Sequence, residues 1–239
     1  YSLVPGDGSV DNARFEILGD RLLLIESADF EQSRALQVRI RATDEQGAFV
    51  EQTFSIGVVN QNETPFNLQL SNTTLAEGPV VGRLVGLLSA SEPDGSPLTY
   101  VLPVGEEDNA AFGIVGNQLR LIGEANFEVQ SSYTVVVRAV DPEGLFTEAT
   151  FAISITDVDE APVGLSLSNG FIDENVAIGS VVGQFTTNDP DLGETFSYAI
   201  LSIDGDASDT SFVIVDDELR TNSRMNFETQ GGYLLRIQT

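Results

Sequence analysis

Along much of the chain, apolar and polar residues alternate one by one, and helical spacing is nowhere sustained. Leu36, Val38 and Ile40 alternate with Gln37, Arg39 and Arg41. Tyr133, Val135 and Val137 repeat the pattern, as do Tyr233, Leu235 and Ile237. Phe54, Ile56 and Val58 form a further stretch, matched by Phe151, Ile153 and Ile155. A period of two turns one face to a core and the other to water, which predicts antiparallel strands. Gly and Pro recur every ten or so residues, as turns between short strands require. The expected fold is all-β, with about seven short strands per hundred residues, the size of an immunoglobulin-like sandwich.

The pattern itself returns with a long period. Phe15-Glu16-Ile17 leads to Phe30-Glu31, Phe112-Gly113-Ile114 to Phe127-Glu128, and Phe212-Val213-Ile214 to Phe227-Glu228. In every copy 16 residues separate the first Phe from the closing Glu (31−15, 128−112, 228−212), and the copies lie 97 and 100 residues apart. Tyr1, Tyr100 and Tyr198 each open a stretch shortly before the block. Ala42-Thr43-Asp44 and Ala139-Val140-Asp141 set an Asp 13 residues after its Glu. Pro65 and Pro162 precede Glu77 and Glu174 by 12 residues, with Gly82 and Gly179 five further on. Three tandem sandwiches in an extended array are expected: an N-terminally incomplete repeat over 1–64, a complete one over 65–162, and a C-terminally incomplete one over 163–239. Such ragged ends predict a piece of a longer array. Donation of the missing strands by a neighbouring chain fits less well, because the partial copies duplicate each other's middle.

Charge narrows the function. Asp and Glu number 37 against 11 Lys and Arg, a formal charge of −26 over 239 residues. Such a surface repels nucleic acid and anionic lipid. Hydrophobic residues make up 41%, enough to fill cores, yet no apolar run is long enough to span a membrane. Cysteine and histidine are both absent, which removes disulfides, zinc and haem ligation, and Cys–His or Ser–His catalysis.

The acids are placed, not scattered. They gather at Glu77 and Glu174, in Glu92-Pro93-Asp94 and Asp189-Pro190-Asp191, and in Asp29-Phe30-Glu31, Asn126-Phe127-Glu128 and Asn226-Phe227-Glu228. Two inter-repeat junctions carry more, in Asn60-Gln61-Asn62-Glu63-Thr64-Pro65 and Asp157-Val158-Asp159-Glu160-Ala161-Pro162. Alternate residues on an extended backbone face the same way, so Asp-x-Asp aims two carboxylates at one point. Calcium takes six to eight oxygens from such groups.

These motifs, in this order, resemble those of bacterial cadherin-like repeats along essentially the whole chain. The likeness rests on the Glu near the first strand, the Asp-Pro-Asp loop, the (Asp/Asn)-Phe-Glu segment, the Ala-x-Asp strand end and the acidic linker before Pro. It implies calcium between successive repeats. The first junction would use Asp29, Glu31, Asn60, Asn62, Glu63, Glu92, Asp94 and Asp141. The second would use Glu77, Asn126, Glu128, Asp157, Asp159, Glu160, Asp189 and Asp191, with Glu174 and Glu228 serving a third. Asn60, Asn62 and Glu92 stand where the second junction has Asp157, Asp159 and Asp189, so fewer or weaker ions are expected at the first.

The expected function is a calcium-binding extracellular or cell-surface module, a rigid rod for adhesion or for a stalk or filament. Its partner would be a protein or glycan at a cell surface, or further copies of itself, and not nucleic acid. Catalysis by paired carboxylates is the weaker reading, because every pair recurs while an active site is normally single. A carbohydrate- or matrix-binding sandwich with calcium as scaffold is the alternative. The absence of Trp and the presence of only 5 Tyr count against it and against adhesion by a tryptophan anchor.

Overall fold

The structure, a computed structural model, describes residues 1–202 and 208–239, and the regular elements among them are strands and short 3-10 turns. The first copy supplies β1 (Ser2–Leu3), β2 (Phe15–Leu18), β3 (Arg21–Leu24), β4 (Ala35–Thr43) and β5 (Phe49–Gly57). The second supplies β6 (Phe66–Leu70), β7 (Thr74–Ala76), β8 (Arg83–Ser91), β9 (Thr99–Val101), β10 (Phe112–Val115), β11 (Gln118–Leu121), β12 (Ser132–Val140) and β13 (Phe146–Thr156). The third supplies β14 (Gly164–Leu167), β15 (Val181–Asn188), β16 (Ala199–Leu201), β17 (Phe212–Val215), β18 (Glu218–Thr221) and β19 (Arg236–Gln238). The chain is all-β, built as tandem antiparallel sandwiches.

The second copy shows the layers most fully. One four-stranded sheet runs β10-β11-β8-β6 and the other β7-β13-β12-β9. The alternation read in the sequence becomes the inward face: Val135, Val137, Ala139 and Ile153 are at most 1% exposed, as are Leu88 and Leu119 from the opposite sheet. The first copy orders β1-β4-β5 beside a separate β2-β3 hairpin, and closes Phe15, Leu36 and Val38 over Leu3, Leu22, Ile40 and Ile56. The third orders β14-β15-β18-β17, with β16 paired to β19, around Val182, Phe185, Phe212, Leu219 and Met225. The three repeated Phe residues, Phe15, Phe112 and Phe212, are all core. Phe112 and Phe212 meet Tyr133 and Tyr233 edge to face.

One expected strand is shorter than its pattern. Tyr233 and Leu235 pack on the third core, but pairing begins only at Arg236, since β19 finds a partner over just the three residues of β16. Three hairpins share a tight turn that needs a left-handed residue. Gly19 and Gly116 occupy it at φ 67° and 63°, and Asp216 takes the same place at φ 57°.

The long strands β4 and β12 outrun their neighbours β1 and β9, leaving backbone groups that side chains cover. Asp108 accepts the Thr134 N–H, and Asn109 accepts the Val136 N–H while donating to the Val136 and Pro103 carbonyls. Asp11 and Asn12 do the same for Gln37 and Arg39 of β4. A repeated glycine provides a second fixed point. Asn169 ties itself to the Phe171 and Val182 carbonyls, and its own backbone lies over Gly183, where a Cβ would sit 2.4 Å from the Asn169 carbonyl oxygen. Gly86 stands under Asn72 in the same way, at 2.9 Å. Gly183→Ala is therefore expected to cost about 1–3 kcal/mol by forcing backbone against backbone, read as a fall in the urea midpoint. An unchanged midpoint would mean that the Asn169 bend is freely movable.

Compact units do not follow the repeat period. Tyr1–Leu75, Val80–Glu124 and Ser132–Ser154 form one, and Ala76–Pro79, Ala125–Ser131 and Ile155–Thr239 form the other. The short strips 76–79 and 125–131, which carry Glu77, Asn126 and Glu128, thus group with the chain that follows Ile155.

Candidate metal centres

Each junction lies wholly within one unit. In the second, extended backbone after β13 presents Asp157, Asp159 and Glu160, while the loop after β15 presents Asp189, Asp191 and Glu194. The carboxylates of Asp157, Asp159, Glu160, Asp191 and Glu194 converge with those of Glu77 and Glu128. Three groups have ligand oxygens within 4.8 Å of one another: Glu77–Glu128–Asp157, Glu128–Glu160–Asp191 and Asp159–Asp191–Glu194. Glu128 and Asp191 each belong to two groups, so the acids form one connected set.

Backbone donors aim the set. Glu77 is buried and accepts the N–H groups of Phe127 at 2.8 Å and Val158 at 2.7 Å, and the first of these holds its carboxyl below the ordinary range despite burial. Glu160 N–H donates to Asp191 Oδ2 at 2.7 Å, and Asp191 N–H donates to Asp189 Oδ1 at 3.1 Å. Glu160 Oε2, Asp189 Oδ2 and Asp191 Oδ1 are buried and lack any hydrogen-bond partner. Partial burial and like charge push acids here upward: Glu160 beside Glu77 and Asp191, Asp157 beside Asp191 and Glu77, and Glu194 beside Asp159 and Asp189. A buried carboxylate oxygen without a donor is costly, and several of one sign costlier still. A hard cation resolves both, and the donor set is entirely oxygen.

The first junction is built differently. Glu31, Glu63 and Asp94 form its single group within 4.8 Å among the described residues. Burial and the nearby Glu31 and Asp94 push Glu63 upward. Glu63 N–H donates to Asp94 Oδ2 at 2.9 Å, as Glu160 does to Asp191. The other oxygen, Asp94 Oδ1, accepts the Asn60 amide at 2.8 Å. Asp141 is 5% exposed, accepts Gly144 and Leu145 N–H at Oδ1 and takes the Asn62 amide at Oδ2, 2.7 Å away. Burial raises this carboxyl, but the donors led by Asn62 outweigh it and the net shift is downward. Glu92 gives one oxygen to Ser96 N–H and leaves Oε1 buried without a partner.

Of the expected carboxylates, Asp29, Glu92, Asp141 and Asp189 fall outside these groups, though the charge of Asp29 still reaches Glu63. Asp29 caps a turn through Gln32 N–H, and Asn126 caps another through Val129 N–H. Of the pair expected to serve a third junction, Glu174 accepts Phe227 N–H, and neither it nor Glu228 belongs to a carboxylate group among the described residues. Glu194 is the residue that repeat-to-repeat reading misses. It lies in a loop one residue longer than its counterpart, where no other copy has an equivalent; its acidity beside Asp189-Pro190-Asp191 was the available signal.

No family model matches the chain. Relatives are nevertheless plain. Protocadherin Fat 4 of Homo sapiens is 28% identical over 250 residues, covering 100% of this chain and 5% of its own. Protein dachsous of Drosophila melanogaster is 31% identical over 158 residues, covering 60% of this chain and 4% of its own. Among solved structures, protocadherin gamma B7 extracellular cadherin domains 1–4 superpose with a TM-score of 0.68 at 22% identity, over 99% of this chain and 61% of that one. The fold is that of cadherin extracellular domains, and the sequence is similar to cadherins and protocadherins. The chain spans only about a twentieth of the length of the first relatives it matches. By name, the relatives it matches are cadherins and protocadherins.

Proposed function

We propose that the second junction is a calcium centre that fixes the linker between two cadherin-like repeats, with boundaries at Pro65 and Pro162. The single observation that carries this is a connected set of acids in which Glu160 and Asp191 each hold a buried, donorless oxygen, with a third such oxygen on the adjacent Asp189. Glu77, Glu128, Asp157, Asp159, Glu160, Asp189, Asp191 and Glu194 would hold the ions. Calcium bound there supplies the positive charge that turns mutual repulsion into a clamp, and the clamp stiffens the chain as an extracellular rod for adhesion or for a surface stalk. Extracellular modules bind calcium at about 10⁻⁴ to 10⁻³ M, the range found outside cells. The partner in this reading is a protein at a cell surface or another copy of the chain.

The test is thermal unfolding with calcium against chelator, and magnesium as the control for mere charge screening. A site held at about 100 times its dissociation constant adds roughly 2.7 kcal/mol, so millimolar calcium is expected to raise the melting temperature by at least about 5 °C. Magnesium, which demands a tighter octahedral shell, should do much less. Equal curves in calcium and chelator would leave the acids as a solvated surface and sink the proposal.

A further inference from the structure

Asp94 and Asp191 occupy the same place in successive repeats, each receiving a backbone N–H from the Glu of its linker. They differ in their second oxygen. Asp191 Oδ1 is buried without a donor, whereas Asp94 Oδ1 takes the Asn60 amide. Asp141 is likewise held by donors of the chain, with Asn62 on one oxygen and Gly144 and Leu145 on the other. An amide N–H brings a partial positive charge to a carboxylate at hydrogen-bond distance, which is the service a cation performs from the centre of a ligand shell. At this junction the donors are covalently part of the linker.

We infer that the first junction is an amide latch: Asn60 and Asn62 lock the linker onto Asp94 and Asp141 without a cation. Glu31, Glu63 and Glu92 Oε1 remain as acceptors outside the latch, so a cation can still add there, but the linker does not need one to keep its place. The inference rests on the calcium reading of the second junction only for the contrast between the two. In falling calcium, the second linker loosens while the first holds.

The test is amide hydrogen exchange by NMR in calcium and in chelator, following Glu63 and Glu160 N–H as matched probes and Val137 of β12 as the reference for global folding. Asn60→Asp/Asn62→Asp removes the donors and restores the acids, and Asn60→Ala/Asn62→Ala removes the donors without adding charge. In chelator, Glu63 is expected to exchange at least about tenfold faster in both variants than in the natural chain, with Val137 unchanged. Calcium should restore protection in the Asp variant and not in the Ala variant. Equal Glu63 exchange in the natural chain and the Ala variant under chelator overturns the latch. A Glu160 amide indifferent to calcium defeats the calcium reading alone, and the comparison of Glu63 among the three chains still decides the latch.

Discussion

Asp191→Asn is expected to weaken calcium binding at the second junction by about 10- to 100-fold, measured by calorimetric titration, while leaving the chelated protein as stable as before or more so. Asp191 is shared by two of the three carboxylate groups there, so one substitution removes a charge from both. Its Oδ2 accepts Glu160 N–H, a contact an asparagine oxygen can keep. Its Oδ1 has no donor, and replacing that end by an amide costs nothing that the chain supplies. Without a cation, the loss of one like charge relieves Asp157, Glu160 and Glu194, each of which this carboxylate pushes upward. The sign therefore reverses with the medium: a gain or no change in chelator, a loss in calcium. A dissociation constant within about twofold of the natural chain would show that Asp191 is not a ligand.

Asn109→Ala is expected to cost about 3 kcal/mol, seen as a drop in the urea midpoint and in the protection of β12. Asn109 is 5% exposed and satisfies a backbone N–H and two carbonyls. Alanine leaves the Val136 N–H buried without an acceptor, at roughly 1–3 kcal/mol for that group alone. Asn12 performs the matching service on β4 but is only half-buried, so water can replace it, and Asn12→Ala should cost less. Equal losses at the two positions would mean that burial does not set the cost.

The fold was legible because the period-two stretches recur in register. Val135, Val137 and Ile153 needed no more than their alternation to be placed inside, and the block Phe residues no more than their repetition. Asn12 and Asn109 recur just as faithfully, three residues before Phe15 and Phe112, yet a polar residue before a strand reads as loop. Their task appears only when a strand is seen to outrun its neighbour. The acids of the second junction were legible from Asp-x-Asp and linker spacing. Those motifs also named Asp29 and Asn126, whose side chains accept local turn N–H groups as well, since a short acceptor beside a free backbone N–H bonds locally first. The first junction was read as a weaker copy of the second. Spacing shows that Asn replaces Asp there, but only geometry shows the two amides donating to Asp94 and Asp141.

Glu77 carries a mechanical consequence. Its backbone N–H holds the Thr156 carbonyl, and its carboxylate grips Val158 just beyond the end of β13 while also gripping Phe127. A pull on the linker would reach this residue before it reached the sheet. The grip has two prongs two residues apart, at Thr156 and Val158, so lifting the strand end means breaking both. Glu77 thus acts as a rivet at the point where tension enters, and neutralising it should lower the force at which the strand end lifts, well before the core feels any strain.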